Sequence, residues 1–212
     1  MNKIKLAGLY LSLSGLLKDL VADGLLSQAD ANSLAAAQRG QDEALLHPLE
    51  IIAARQYSHP QTNSPLTLQA LSQWLADKAQ LQLAHIDPLR INVPAVTGAM
   101  SFAYAQRYGI LCIEISPQEL VIASMEPFDC SWVESLEQTS RRNIRRVFAS
   151  PADIKKYTVE FYSLAKSVFG AGAADSAKGI ANFEQLLEVG KLKDPDAQDQ
   201  HIVNIVDWLL QY

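Results

Sequence analysis

The run ILCIEISPQELVIASM, residues 110–125, is the starting point for predicting the fold. Its flanking runs, 110–115 and 120–125, are rich in Ile, Leu and Val, residues that favour strands. Between them, SPQE at 116–119 carries the Ser and Pro that are typical of tight turns. A later run, NIRRVFAS at 143–150, has apolar residues among its arginines. The sequence therefore predicts two strands joined by a turn, followed by a third strand.

Helical patterns surround these strands. A helix is predicted at 68–80 behind the capping residue Thr67, and another at 95–108 before Gly109. A third is predicted within PFDCSWVESLEQTS at 127–140, and Pro151 begins a fourth at 151–168. Residues 66–168 are therefore predicted to form a small α/β domain, in which helices flank a three-stranded sheet.

The segment before this domain reads as wholly helical. Apolar spacing and capping residues predict helices at 4–23, 28–38 and 48–56, the first ended by Gly24. Residues 1–56 are thus predicted to form a helical subdomain, and the turn-rich YSHPQTNSP at 57–65 a linker. The predicted fold class is α+β.

The segment after the domain has a different composition. Residues 169–200 contain the small and acidic runs GAGAADSAKG and DPDAQDQ, which predict a flexible linker with one short helical piece at NFEQLLEVG. HIVNIVDWLLQY at 201–212 has helical apolar spacing but no stop signal. We expect it to be the truncated first helix of a further domain in a longer polypeptide.

Charge and cysteine content exclude several functions. The 212 residues are 49% apolar and 19% charged, with a net charge of −5. Residues 1–65 carry 5 basic and 6 acidic side chains, 66–168 carry 10 and 10, and 169–212 carry 3 and 7. No segment is basic overall, so nonspecific nucleic-acid binding is not expected. Two cysteines are too few for a disulfide framework and indicate reduced thiols.

Motifs for catalysis or metal binding are missing from the sequence. The four histidines have no metal-ligand spacing, and none lies near a nucleophile in a convincing pattern. A phosphate-binding GxxxxGK[ST] loop is absent among the ten glycines. We therefore predict no catalytic residue, no metal and no enzymatic activity in this chain.

Several weak motifs then occur in a familiar order: HIDPLRINVP, FAYAQRYGILCIEI, LVIASMEPFD and ASPADIKKYTVEFY. In this order they resemble the N-terminal domain of bacterial type II secretion and type IV pilus assembly ATPases. NFEQLLEVGKLKDPDAQDQHIVNIVDWLLQY resembles the run that enters the next domain of that family. The resemblance covers about 150 residues and does not separate the two machines.

The resemblance implies a coupling role. An adaptor or regulatory region of this kind would dock a cytoplasmic motor to the cytoplasmic domain of a membrane-anchored platform protein, and so lie peripheral to the inner membrane. It would also contact the ATPase domains of the parent, which the resemblance implies form a hexamer. ATP and Mg²⁺ are expected for the parent and no cofactor for this region.

One charged cluster could serve docking: Arg141, Arg142, Arg145 and Arg146. Guanidinium groups bind carboxylates and phosphates bidentately, so the cluster could receive an acidic partner or an anion. Charges on an edge strand also protect a sheet against aggregation, and that alternative stays open.

A second function is implied by the same resemblance. Some family members bind cyclic diguanylate through a motif that begins Arg-Leu-Gly and continues with hydrophobic pairs around a glycine. Here Gly15-Leu16-Leu17 stands where Arg-Leu-Gly is expected, which removes the arginine best suited to hold a phosphate. The matching positions are Leu20, Val21, Gly24, Leu25, Leu26 and Gln38.

Overall fold

A computed structural model describes residues 11–37, 43 and 46–170. Within these ranges the chain forms eight helices and three strands. In chain order they are α1 (Leu13–Ala22), α2 (Gln28–Ala36), α3 (Pro48–Ala54), α4 (Leu68–Lys78), α5 (Val93–Thr97), α6 (Phe102–Tyr108), β1 (Ile110–Ile115), β2 (Glu119–Ser124), α7 (Val133–Ser140), β3 (Asn143–Phe148) and α8 (Pro151–Gly170). The predictions for 171–200, for 201–212 and for Gln38 lie outside the described residues.

The strands form one mixed sheet in the order β1-β2-β3. β1 and β2 pair as an antiparallel hairpin, with an irregularity between Cys112 and Glu114. β3 then pairs parallel to β2, and α7 provides the crossover that a parallel connection needs. The predicted α+β class, with helices around a three-stranded sheet, is confirmed.

One hydrophobic core lies between the sheet and the helices that cover it. Ile110, Leu120 and Ile122 are fully buried there, together with Trp132 at the start of α7. β2 is the central strand, and five of its six residues are buried. The continuous apolar run LVIA is the pattern expected of such a strand, because helices or neighbouring chain cover both of its faces.

A second core joins the N-terminal helices to α4. Leu16, Leu20, Leu49 and Leu71 are all at most 1% exposed in this core. Fully burying one such side chain contributes about 1.5–3 kcal/mol. Phe148 is the one described residue of β3 that belongs to this second core. The last residue of the sheet therefore ties the two cores together.

Two predicted helices differ from the structure, one at its start and one by a break in its middle. Residues 11 and 12 are not helical, and α1 begins at Leu13 because the Ser12 side chain accepts the Gly15 N–H. The single helix predicted at 95–108 is two helices, α5 and α6. Ser101 adopts an extended conformation and its side chain accepts the Tyr104 N–H, which begins a new helix. Local caps thus override the apolar periodicity.

No helix in the described ranges combines the length and apolarity needed to cross a membrane.

Candidate functional site

The arginine cluster lies where α7 ends and β3 begins. Arg141 caps α7 in the left-handed conformation, with φ of 54°, and its N–H donates to Glu137 O. β3 then starts at Asn143, and its successive side chains point to opposite faces of the sheet. The structure therefore places the four guanidinium groups on a turn and on two faces of one strand.

Arg145 is engaged with acidic residues of the same sheet. Its Nε lies 3.1 Å from Glu119 Oε2 on β2, and its Nη2 lies 3.4 Å from Glu114 Oε2 on β1. All three side chains are exposed, so these ion pairs contribute little to stability. They do set the position of the Arg145 side chain across the sheet.

Arg146 points to the other face and is held by the loop before α7. Its guanidinium donates to Pro127 O and to Cys130 Sγ. The Nε of Arg146 is buried and has no hydrogen-bond partner among the described residues. This arginine therefore anchors the loop, and its charge is only partly available to a partner.

The two remaining arginines form no ion pair with any residue in the described ranges. Arg141 is exposed, and Arg142 is half-buried near Cys112. Burial raises the pKa of the Cys112 thiol to about 12, and the positive charge of Arg142 acts in the opposite direction. Arg141 and Arg142 are the guanidinium groups best placed to meet an acidic partner.

The residues of the cyclic diguanylate motif divide between core and surface. Leu20 and Leu26 are buried in the N-terminal core, at 0% and 2% exposure. Gly24 ends α1 with φ of +75°, which a side chain would strain. Val21 and Leu25 are half-buried. The structure therefore uses most of these positions to build the turn between α1 and α2.

A groove runs between α1 and α2 beside that turn. It has a volume of about 320 Å³ and a mostly apolar floor that includes Val21. Its polar rim is formed by Ser14, Lys18, Gln28 and Asn32. Lys18 is the one basic side chain in the lining, so a phosphate bound here would meet a single positive charge.

A buried polar junction between the two cores was not anticipated from the sequence. His47 is 5% exposed, and its Nδ1 accepts the Leu49 N–H at the start of α3. Its Nε2 lies 3.4 Å from Glu126 Oε1, close enough for attraction but not aligned as a hydrogen bond. Glu126 Oε2 accepts the Leu11 N–H at 3.0 Å.

An ion pair between Glu50 and Lys155 completes the junction. Glu50 accepts the His47 N–H, which closes a capping box, and it also lies 2.6 Å from Lys155 Nζ on α8. The sequence signal for the cap is Pro48 with an acidic residue two positions later. The contacts to Glu126 and Lys155 span more than 75 residues of chain, so no local pattern could reveal them.

The described ranges contain no group of three or more His, Cys, Asp or Glu residues placed to hold a metal ion.

Comparison with known proteins matches the MshEN domain family to residues 79–168. The chain is also 35% identical, over 201 residues, to the type IV pilus assembly ATPase TfpB of Acinetobacter baylyi. That alignment covers 92% of this chain and 34% of the relative. The chain thus spans about a third of the length of this curated relative.

Two solved structures are similar in part. A structure of MshE with cdg is 20% identical, with a TM-score of 0.47, over 72% of this chain and 99% of that one. The N-terminal domain of XpsE is 13% identical, with a TM-score of 0.44, over 72% of this chain and 97% of that one.

Proposed function

We propose that this chain is an adaptor. Residues 79–168 match the MshEN domain family, and the chain is 35% identical to a type IV pilus assembly ATPase over 201 residues. It docks a cytoplasmic motor to the cytoplasmic domain of a membrane-anchored platform protein. The observation that carries this proposal is the sequence similarity to a pilus assembly ATPase over nearly the whole chain.

The mechanism is coupling through a stiff body. Phe148 joins the two cores, and the His47–Glu126 and Glu50–Lys155 contacts join them again at a second place. The described residues thus join the two cores at two places, and we expect a force applied at one core to be transmitted to the other. We propose residues 1–56 and 66–168 as the domains of this body, although α4 lends its apolar face to the N-terminal core.

The motor chemistry belongs to the rest of the parent protein. The sequence holds no GxxxxGK[ST] loop to cradle a phosphate. We propose that ATP, Mg²⁺ and hexameric assembly belong to the ATPase domains of the parent. The linker predicted from residue 169 begins no earlier than 171, because α8 continues to Gly170. The adaptor would lie in the cytoplasm, at the inner membrane, through its partner.

Surface plasmon resonance tests the docking role. The 212-residue chain is immobilised, and the purified cytoplasmic domain of the platform protein is passed over it, with the full parent ATPase as a reference. Saturable binding by the chain, with an affinity close to that of the parent, supports the proposal. Binding by the parent and none by the chain would place docking in another part of the motor.

Cyclic diguanylate binding is the second candidate function, favoured by the groove between α1 and α2 and its partial motif. A ligand bound there could pack the face of a guanine ring on Val21 and hold a phosphate near Lys18, since both residues line the groove. Isothermal titration with cyclic diguanylate decides between the candidates. Saturable heat that Lys18→Ala weakens supports the sensor, whereas a flat titration of the folded chain excludes it.

A further inference from the structure

The outer edge of β3 is open over residues 143–146. Asn143 N–H donates to Gln118 O and Ala149 N–H donates to Ser124 O, so odd-numbered residues turn their backbone groups toward β2. Phe148 N–H donates to Gln82 O on the opposite side, so even-numbered residues face away from β2. The backbone groups of Ile144 and Arg146 therefore point to the outer edge.

Only the end of that edge is covered. A short parallel bridge pairs Leu83 with Phe148, and Ala84 N–H donates to Phe148 O at 2.7 Å. Among the described residues, no other segment pairs with the outer side of β3. Burial follows the same boundary, because Val147 and Phe148 are buried while 143–146 are exposed or half-buried.

Charge indicates what could fill the open edge. Arg141 and Arg142 lie at its start and form no ion pair in the described ranges, and Arg145 pairs only with exposed carboxylates on one face. An extended segment with acidic side chains would satisfy both the unpaired backbone and the guanidinium groups.

We propose that the edge at 143–146 is the docking site for an acidic, extended segment of the platform protein, which adds to the sheet as a further strand beside β3. Main-chain hydrogen bonds to Ile144 and Arg146 supply affinity, and Arg141 and Arg142 select acidic side chains. This inference rests on the proposed adaptor function and identifies its contact surface. The bridge at Leu83–Phe148 sets the end of the added strand.

Amide hydrogen exchange, resolved by NMR, tests the edge directly. In the free 212-residue chain the amides of Ile144 and Arg146 are expected to exchange rapidly, while those of Arg145 and Val147 are protected. Adding the platform's cytoplasmic domain is expected to protect Ile144 and Arg146. A complex that forms while both amides still exchange would overturn this inference and leave the adaptor function standing, whereas absence of any complex would overturn both.

Amide exchange in the chain without a partner also tests whether another part of the same chain covers the edge. If Ile144 and Arg146 are already protected and become exposed when 171–212 is deleted, the acidic C-terminal segment occupies the edge. That result would overturn the assignment to a partner protein.

Substitutions test separately whether docking depends on backbone pairing with β3 and on the charge of the arginines. Ile144→Pro removes an N–H that has no partner in the fold, and an edge strand tolerates proline at such a position. This variant is expected to abolish docking, whereas Ile144→Val is expected to preserve docking. Arg141→Glu with Arg142→Glu is expected to weaken binding by about tenfold or more, mainly through slower association. Lys156→Glu with Lys166→Glu, which reverses two exposed charges on α8, is the matched control. Equal affinity of the arginine double variant and this control would contradict the role of the arginines.

Discussion

At the scale of single residues, the two cysteines are placed in opposite environments. Cys112 is 1% exposed inside the sheet, and burial raises the pKa of its thiol from 9.0 to about 12. Cys130 is exposed beside Arg146. Because the thiolate is the reactive species, only Cys130 should react in the native state.

Thiol titration with a disulfide reagent at pH 8 measures this difference. We expect one reactive thiol per native molecule and two in guanidinium chloride, with Cys130→Ser reducing the native value to zero. Two fast native thiols would show that Cys112 is not buried.

The raised pKa of Cys112 also predicts alkaline destabilisation. Between about pH 9 and pH 12 the unfolded chain loses the thiol proton and the folded chain keeps it, so the free energy of unfolding falls as pH rises. Below about pH 9 the thiol keeps its proton in both the folded and the unfolded chain, so the full free energy of unfolding is retained. Urea unfolding of the native chain and of Cys112→Ala across pH 8 to 10.5 should show a steeper decline for the native chain. Parallel curves would contradict the assignment.

Gly109 occupies a position that only glycine fits. It ends α6 with φ of +59°, and an added Cβ would lie 2.8 Å from Met125 Cγ and closer still to Met125 Cε. Gly109→Ala should therefore lower the free energy of unfolding by about 1–3 kcal/mol. Gly98→Ala is the matched control, because Gly98 has φ of −75° and only ordinary contacts. Equal stability of the two variants in urea would refute the role of the left-handed turn.

At the scale of elements, the His47 cap links α3 to the rest of the fold. His47→Ala leaves the Leu49 N–H without its acceptor and removes the neighbour of the buried Glu126. The expected cost is about 1–2 kcal/mol. His85→Ala, at an exposed position, should change stability by less than about 0.5 kcal/mol. Thermal unfolding of both variants measures the contrast, and equal melting temperatures would contradict a structural role for His47.

The sequence predicted most elements because their signals are local. The strands at 110–115 and 120–125 differ from β1 and β2 by at most one residue, and the start of α8 at Pro151 is as predicted. The start of α1 was wrong, and the helix at 95–108 proved to be two. In both places a serine that could equally lie inside a helix acts as an N-cap.

The candidate site could be predicted only as a list of arginines. Their spacing on a strand followed from the sequence, but their partners did not. Arg145 pairs with residues 26 and 31 positions away, and Arg146 reaches the loop before α7. Such contacts depend on which strands become neighbours. The parallel pairing of β2 with β3 creates them, and no local pattern shows it.

At the scale of the whole molecule, Phe148 should make the two cores unfold together. It is fully buried in the N-terminal core, although Val147 and Ala149 belong to the sheet core. Phe148→Ala is expected to lower the free energy of unfolding by about 3–5 kcal/mol. It should also separate the unfolding transition of the N-terminal core from that of the sheet core. Leu120 is fully buried in the sheet core alone, and Leu120→Ala should lower the unfolding midpoints of both cores together.

Two tryptophans report on the two cores separately. Trp74 packs against the N-terminal core and Trp132 lies inside the sheet core. In chains that keep one of them and replace the other two tryptophans by Phe, fluorescence should give one shared urea midpoint. Phe148→Ala should give two midpoints. Separate urea midpoints in the single-tryptophan chains that keep Phe148 would contradict stiff coupling between the cores.

We propose that this region recruits a motor to its membrane platform and takes no part in the motor's chemistry. The most direct measurement is co-sedimentation of the parent ATPase, with and without residues 1–168, with membrane vesicles that contain the platform protein. We expect the shortened parent to stay in the supernatant and still to hydrolyse ATP in solution. Undiminished sedimentation of the shortened parent would contradict it.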